Sequence, residues 1–273
     1  MLATSIAEAF YIGQLGIAPL AGLALAFPMI MLTMMMAGGS FGGAIAGAVA
    51  QQLGAGNREG AESVALHSFL LTIAFSLLFS WLFLTFGTAL YSALGGKNDV
   101  LNEALAYSDI FFTGCMAIWV ANGLNAILRG TGQMNVAAGA LALGSLLQIF
   151  LSALFVFGIG PFPTLGIAGA AVGNIVGFIV AGLIQLWFLV RLSPILRLRF
   201  KGTPLKLSGF MDILKVGTMA SASPLSSVVT VIIITAMMAR LGTDVLAGYG
   251  IEARLEFLMI PLIFGIGSAS ITM

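Results

Sequence analysis

Charged residues are scarce in this chain of 273 residues, where they make up 8% of the sequence against 60% hydrophobic residues. Soluble domains carry roughly 25% charged side chains. A soluble helix needs a polar face, and so few charges cannot supply one along the whole chain. The composition therefore excludes an ordinary soluble domain and indicates that most of the chain lies in lipid.

The residues of metal sites and of hydrolytic enzymes are almost absent as well. The chain has a single cysteine, Cys115, and a single histidine, His67. This excludes an internal disulfide and any zinc site built from cysteine and histidine clusters. The histidine is far in sequence from any acid within an apolar run, so that no serine–histidine–acid set is indicated. An intramembrane enzyme is therefore the weaker alternative, and no catalytic residue is named.

Long apolar runs dominate what is present. About 20 residues are needed to cross a hydrocarbon core of ~30 Å, and lipid requires each backbone group to be satisfied within its own segment. We therefore predict an all-α, polytopic transmembrane helical bundle of about eight spans. The first span, 1–14, and the last are expected to be truncated, so that the chain reads as a fragment. The remaining spans lie at about 20–50, 64–94, 104–128, 136–158, 165–190, 208–240 and from 245 onward.

Basic residues predict the orientation, because short cytoplasmic loops are enriched in lysine and arginine. The segment between the sixth and seventh helices is the most basic, which places 191–207 and 51–62 in the cytoplasm together with the N-terminus. Residues 95–103 and 158–165 are then extracytoplasmic. The basic residues counted there are Arg191, Arg197, Arg199, Lys201 and Lys206, together with Lys215 near the start of the next predicted span.

A short sequence occurs twice, as LGIAPLAG at 15–22 and as LGTDVLAG at 241–248, with five of the eight positions identical. An even number of predicted helices separates the copies, which returns the chain to the same side of the membrane. This predicts parallel repeats about an axis along the membrane normal, a plan known among transporters. The predicted domains are a first six-helix bundle at 1–190, a basic cytoplasmic linker at 191–207, and the first two helices of a second bundle at 208–273.

Five stretches of the sequence resemble the multidrug and toxic compound extrusion (MATE) family: YIGQLGIAPLAGLALAFP, AQQLGAGNREGA, LRGTGQ, FGIGPFPTLGIAGAAVGNIVG and LAGYGIEARLEFLMIPLIFGIGSA. The resemblance implies twelve helices in two bundles around a cleft. It also implies a secondary antiporter of the bacterial inner membrane, which exports organic, often cationic compounds in exchange for protons or sodium. A small organic substrate and the lipid bilayer are the implied partners, with no nucleic acid, no cofactor and a monomeric full-length state. A flippase for lipid or polysaccharide precursors, from the same superfamily, is the alternative.

The resemblance also implies a cation-coupling site. The aspartate of the family's first helix corresponds to Glu8, its fifth-helix Asn-x-x-x-Asp pattern to Gln148 and Ser152, and a sixth-helix threonine to Asn174. One carboxylate among neutral oxygen donors is a poor sodium site, because hard cations favour more negative charge. We therefore expect proton coupling through Glu8, with sodium at Glu8 as the alternative and no other metal.

Ionisable residues within spans are functional by default. For Glu8 the alternative is an interfacial position at the start of a truncated helix. Glu252 and Glu256 lie one turn apart on one helix face, with Arg254 between them. This charge cluster is expected either to bind a substrate cation or a proton in the second bundle, or to form a structural ion pair with Arg254 or with another helix.

Small residues and prolines predict how the helices pack. Two rows of glycines at four-residue spacing predict close helix–helix contacts: Gly39, Gly43 and Gly47, and Gly169, Gly173 and Gly177. Proline inside a helix removes a hydrogen bond and bends or breaks the helix. Bends are therefore predicted near Pro28, Pro224 and Pro261.

Overall fold

The computed structural model describes residues 2–198 and 207–256, which contain helices and no strand. This confirms the all-α prediction. Short π-helical segments join α2 to α3 and extend α8. The helices are α1 (Leu2–Gly13), α2 (Ile17–Met34), α3 (Phe41–Gly54), α4 (Arg58–Ala93), α5 (Asn98–Thr113), α6 (Cys115–Gly130), α7 (Met134–Phe157), α8 (Ile167–Trp187), α9 (Leu207–Ala220), α10 (Ala222–Leu241) and α11, which covers 243–256.

Five helical runs of the described residues are long and apolar enough to cross a membrane: Ile17–Gly54, Arg58–Ala93, Met134–Phe157, Ile167–Leu192 and Ala222–Leu241. The bent pair formed by α5 and α6 is a sixth candidate. At 1.5 Å per residue, the 36 residues of α4 extend over about 54 Å, more than a hydrocarbon core requires. Five or six of the predicted spans are thus present, with their ends shifted. The first predicted span, 1–14, forms the 12-residue helix α1, and the last, from 245 onward, lies partly outside the described residues.

The fourth and seventh spans are broken rather than continuous. The run at 104–128 bends by 52° at Gly114, between α5 and α6. A Cβ at Gly114 would clash with Ile175 of α8, so this bend also allows a close helix approach. The run at 208–240 breaks at Ser221, three residues before Pro224. Because Pro224 has no N–H, the carbonyl of Ala220 loses its helical donor.

The Ala220 carbonyl accepts a hydrogen bond from the Ser40 hydroxyl of the second span instead, at 3.2 Å. The break predicted near Pro224 is therefore confirmed, and it is stabilised from the first bundle. Pro28 lies inside α2, whose helix continues through it. Pro261 and the basic residues Arg199, Lys201 and Lys206 lie outside the described residues.

The repeated sequence marks two equivalent helix starts. Gly16 precedes α2 with φ of 127° and Gly242 precedes α11 with φ of 131°. Each glycine carbonyl accepts a hydrogen bond from the amide four residues later, Leu20 at 3.4 Å and Leu246 at 3.1 Å. Residues with a side chain rarely adopt this φ, which explains why both copies keep the glycine. The two copies therefore encode the same turn into a helix.

The two glycine rows have opposite environments. A Cβ at Gly169 would lie 2.5 Å from the Phe155 carbonyl carbon, and one at Gly177 would lie 2.6 Å from the Gly144 oxygen, so α8 packs directly on the α7 backbone. The close packing predicted for this row is confirmed. Among residues 2–198 and 207–256 the prediction for Gly39, Gly43 and Gly47 is wrong, because these glycines are exposed and a Cβ at any of them would meet no described atom within 4 Å. Their spacing alone does not supply a partner helix.

The two predicted halves contact each other at more than one place. Helix α9 packs against α3 and α4, and α10 packs against α2. In the middle of α11, a Cβ at Gly250 would clash with that of Ala24, so these two helices are in close contact. Ala24 and Gly250 are 226 positions apart and therefore equivalent in the predicted repeat. A contact between equivalent positions is what a two-fold axis between two helices requires.

Candidate cation-coupling site

Glu8 is a buried carboxylate with two defined partners. It is 7% exposed, and its Oε1 accepts a hydrogen bond of 2.6 Å from the Tyr107 hydroxyl. Its Oε2 lies 3.8 Å from Nη2 of Arg254. The carboxylate therefore lies in the interior of the protein, where three helices, α1, α5 and α11, meet.

A glycine places the Tyr107 hydroxyl beside Glu8. A Cβ at Gly22 of α2 would lie 2.7 Å from the Cβ of Glu103, so α5 approaches α2 at the distance that only glycine allows. Tyr107 follows Glu103 by one helical turn and is thus on the same face of α5. This close approach brings the tyrosine, itself 1% exposed, to the carboxylate on α1.

The same arrangement places Arg254. Gly250 allows α11 to approach Ala24 of α2, and Arg254 follows Gly250 by one turn. The guanidinium donates to the Ser5 carbonyl over 3.5 Å, and its Cζ lies 5.5 Å from the centre of the Phe27 ring. Arginine is suited to this position, because a guanidinium can stack on an aromatic ring and pair with a carboxylate at the same time.

The three neutral residues assigned to the site by resemblance lie on the neighbouring helices α7 and α8. Gln148, Ser152 and Asn174 are all buried. Ser152 donates to the Ala170 carbonyl over 3.4 Å, and Oδ1 of Asn174 has no hydrogen-bond partner among the described residues. Within those residues Glu8 bonds to Tyr107 and pairs with Arg254 rather than with these three. Their part in binding a cation stays a prediction.

The second predicted cluster separates into one buried and two exposed residues. Glu252 and Glu256 are exposed, whereas Arg254 is 7% exposed. The structural alternative expected Glu252 and Glu256 to pair with Arg254 or with another helix, whereas in the described residues Arg254 pairs with Glu8 of α1. A role for Glu252 and Glu256 in binding a substrate stays a prediction.

Sequence reasoning missed Tyr107 entirely and did not connect Arg254 with Glu8. Each residue has one feature in the sequence that could have indicated a role. Tyr107 is one of four tyrosines and lies in an apolar run, and Arg254 is a cation within a predicted span. A polar side chain in lipid is expected to have a partner. The sequence did not show which of the helices would bring that partner.

The site holds one negative and one positive charge in an apolar environment. Helices α2, α7 and α8, which also pack against α1, contain no ionisable residue. A buried carboxylate is stable when it is paired with a cation or protonated. The Glu8 carboxylate can therefore be neutralised in one of three ways: by a proton, by a bound cation or by Arg254. Within residues 2–198 and 207–256, no three His, Cys, Asp or Glu side chains are grouped to hold a metal ion.

Tyr107→Phe is expected to make Glu8 retain its proton more strongly. The Tyr107 hydroxyl donates a stronger hydrogen bond to the charged carboxylate than to the protonated one, and the variant loses this stabilisation of the charged form. A hydrogen bond to a charged group contributes about 1.5–3 kcal/mol, so the pH of half-maximal proton-coupled transport should rise by about one to two units. The measurement is the pH profile of exchange in membrane vesicles. Tyr11→Phe, on α1 itself, is the control, and equal profiles for the two variants would contradict this role.

Several helices long and apolar enough to cross a membrane, with a buried charge pair between them, are typical of an integral membrane protein. The MatE family model matches residues 1–154. That is more than half of the chain, and the chain belongs to this family, whose members are transporters and not enzymes. The fold and the family predicted from the sequence are confirmed.

Among its relatives, the "FAD transporter" of Shewanella oneidensis is 26% identical over 269 residues, which cover 98% of this chain and 59% of the relative. The "Probable multidrug resistance protein NorM" of Deinococcus radiodurans is 30% identical over 277 residues, covering 95% and 56%. A solved structure described as an inward-facing conformation of a multidrug resistance MATE family transporter of the MOP superfamily superposes with a TM-score of 0.91 at 27% identity, covering 98% of this chain and 61% of that one. The chain thus spans less than two thirds of the length of these proteins.

Proposed function

We propose that this chain forms part of a secondary antiporter that exports organic compounds in exchange for protons, with Glu8 as the coupling carboxylate. The observation that carries the proposal is the burial of Glu8 between a neutral hydrogen-bond donor, Tyr107, and a cation, Arg254. If Glu8 and Arg254 formed only a structural ion pair, the carboxylate would have no need to lie among helices without any other charged residue. A carboxylate that must be neutralised can bind a proton or a substrate cation in turn.

Protons are favoured over sodium by the chemistry of the available ligands. Glu8 is the one carboxylate of the site, and the Arg254 guanidinium already lies 3.8 Å from it. Sodium would need several oxygen ligands while it lies close to a fixed positive charge. A proton needs one oxygen and removes the negative charge completely. Sodium at Glu8 remains the alternative.

The conformation supports alternating access. The similarity to an inward-facing transporter, together with the Ala24–Gly250 contact, supports the proposal that the described state is closed on the outer side. Gly95, in the loop between α4 and α5, contributes to the same closure, because its Cβ would lie 3.0 Å from that of Ala239. Both contacts join the first half to the second half.

The test of the proposed exchange uses inverted membrane vesicles that contain the protein expressed from its complete reading frame. Tetraphenylphosphonium is the probe cation, with the membrane voltage clamped by potassium and valinomycin. We expect the probe to dissipate an imposed pH gradient with or without sodium. Exchange that requires sodium and ignores the pH gradient would refute the proton assignment.

FAD is a second candidate substrate, because the Shewanella relative is named an FAD transporter and the site contains a buried arginine. Its adenine and flavin rings are joined by a negatively charged pyrophosphate. Vesicles loaded with FAD instead of the probe cation distinguish the two classes. Transport of FAD and none of tetraphenylphosphonium would replace the cation with an anionic substrate.

The proposed location is the bacterial inner membrane with the N-terminus in the cytoplasm. Single cysteines at position 201 and in 51–62 should react with an impermeant maleimide from the inside, and cysteines in 95–103 and 158–165 from the outside. The buried Cys115 is first replaced by alanine. Labelling of position 201 from the outside of intact cells would reverse the orientation.

A further inference from the structure

The ion pair between Glu8 and Arg254 joins the two predicted halves of the transporter. Glu8 lies on the first helix of one half and Arg254 on α11 of the other, and the two charged side chains are 9% and 8% exposed. We propose that Arg254 is a tethered counter-cation. It pairs with Glu8 when neither proton nor substrate is bound, and it thereby keeps the empty transporter closed on the outer side. This inference rests on the proposed function of Glu8.

The surroundings leave Arg254 few alternatives to Glu8. Its other described contacts are the Ser5 carbonyl and the Phe27 ring, neither of which carries a charge. Tyr107 faces Glu8 from α5, while α2, α7 and α8 bring no ionisable side chain. The remaining acids of the adjoining helices form no ion pair with Arg254 in the described structure: Asp99, Glu103 and Asp109 on α5, and Asp244, Glu252 and Glu256 on α11.

Neutralisation of Glu8 therefore destabilises the closed contact. A buried guanidinium without a counter-charge is strongly unfavourable, so Arg254 has to move to water, and α11 moves away from α1 with it. A proton and a cationic substrate have the same effect, because either one neutralises the carboxylate. The occupied transporter can then open outward, whereas the empty one stays closed. Opening to the outer side therefore requires an occupied Glu8, and the empty transporter cannot open outward without a proton or a substrate.

The first test is transport by Arg254→Gln in the protein from the complete reading frame. This variant should let tetraphenylphosphonium leave loaded vesicles without a counter-gradient of protons, about tenfold faster than the unmodified protein, because the empty state is no longer locked. Arg240→Gln, an exposed arginine at the end of α10, is the matched control and should not leak. Arg254→Lys keeps the charge and should restore most of the coupling.

The second test reads the conformation directly. Ala24 is 3% exposed beneath α11, so a cysteine at this position, in a Cys115→Ala background, reports opening to an impermeant maleimide added outside. Labelling of this cysteine should be slow when Glu8 and Arg254 are both present, and about tenfold faster in Arg254→Gln and in Glu8→Gln. The exchanged pair, Glu8→Arg with Arg254→Glu, should be slow again.

Slow labelling in Arg254→Gln together with the absence of a leak would overturn the tethered counter-cation. Fast labelling that the exchanged pair does not reverse would also overturn it, because the effect would then not depend on the ion pair. The proposed function fails separately, if the unmodified protein shows no proton-coupled exchange in the vesicle assay. The labelling results decide the ion-pair proposal in either case.

Discussion

Glu8→Gln is expected to reduce probe-driven proton exchange to the background of vesicles without the protein. Glutamine preserves the size of the side chain and can still accept the hydrogen bond from Tyr107, which lies 2.6 Å away. It cannot bind a proton or form an ion pair with Arg254, so the carboxylate chemistry of the site is lost while its packing is kept. The loss should be complete, because helices α2, α7 and α8 offer no second carboxylate.

The matched control for this prediction is Glu252→Gln, which removes an exposed carboxylate from α11. It should leave the exchange unchanged. Glu8→Asp keeps the charge on a side chain that is one methylene shorter, and it should retain part of the exchange with a shifted pH profile. Undiminished exchange by Glu8→Gln, in protein that reaches the membrane in normal amount, would remove Glu8 from the mechanism.

Gly173→Ala is expected to destabilise the protein strongly, although it adds only one methyl group. A Cβ at position 173 would lie 2.6 Å from the backbone nitrogen of Ser152 and 2.9 Å from its Cα. The backbone of α7 cannot rotate away as a side chain could, so α7 and α8 would have to separate along their whole seam. Overpacking of this kind costs about 1–3 kcal/mol, and occasionally more.

Gly43→Ala is the matched control, because it makes the same substitution on an exposed helix face where a Cβ meets no atom within 4 Å. Alanine is a better helix former than glycine by about 1 kcal/mol, so this variant should be neutral or stabilising. The measurement is the midpoint of thermal unfolding in detergent for both variants. Equal midpoints would contradict the structural difference between the two glycine rows.

Much of the fold could be predicted from the sequence because lipid imposes strong local rules. Apolar runs of sufficient length have to be helices in a bilayer, and the positive φ of Gly16 and Gly242 explains the repeated LG dipeptide. Helix breaks were harder to predict. Pro224 announces one, but the bend at Gly114 depends on Ile175, which is 61 positions away in the sequence.

The candidate site could be predicted only in part, for a related reason. Glu8 is recognisable because a carboxylate in an apolar helix is conspicuous in any sequence. Tyr107 is separated from it by 99 positions, and the contact depends on how closely Gly22 lets α5 approach α2. The two glycine rows make the same point. Their spacing is identical, but in the described residues one row packs against a helix and the other does not.

The most direct test of the central claim is a proton count during substrate binding. Tetraphenylphosphonium is added to the purified protein in a weakly buffered detergent solution, at a pH where Glu8 is partly protonated, and the change in pH is recorded. If proton and substrate compete for Glu8, the unmodified protein should release up to about one proton per molecule bound, and Glu8→Gln should release none. Equal proton release by Glu8→Gln would contradict the account.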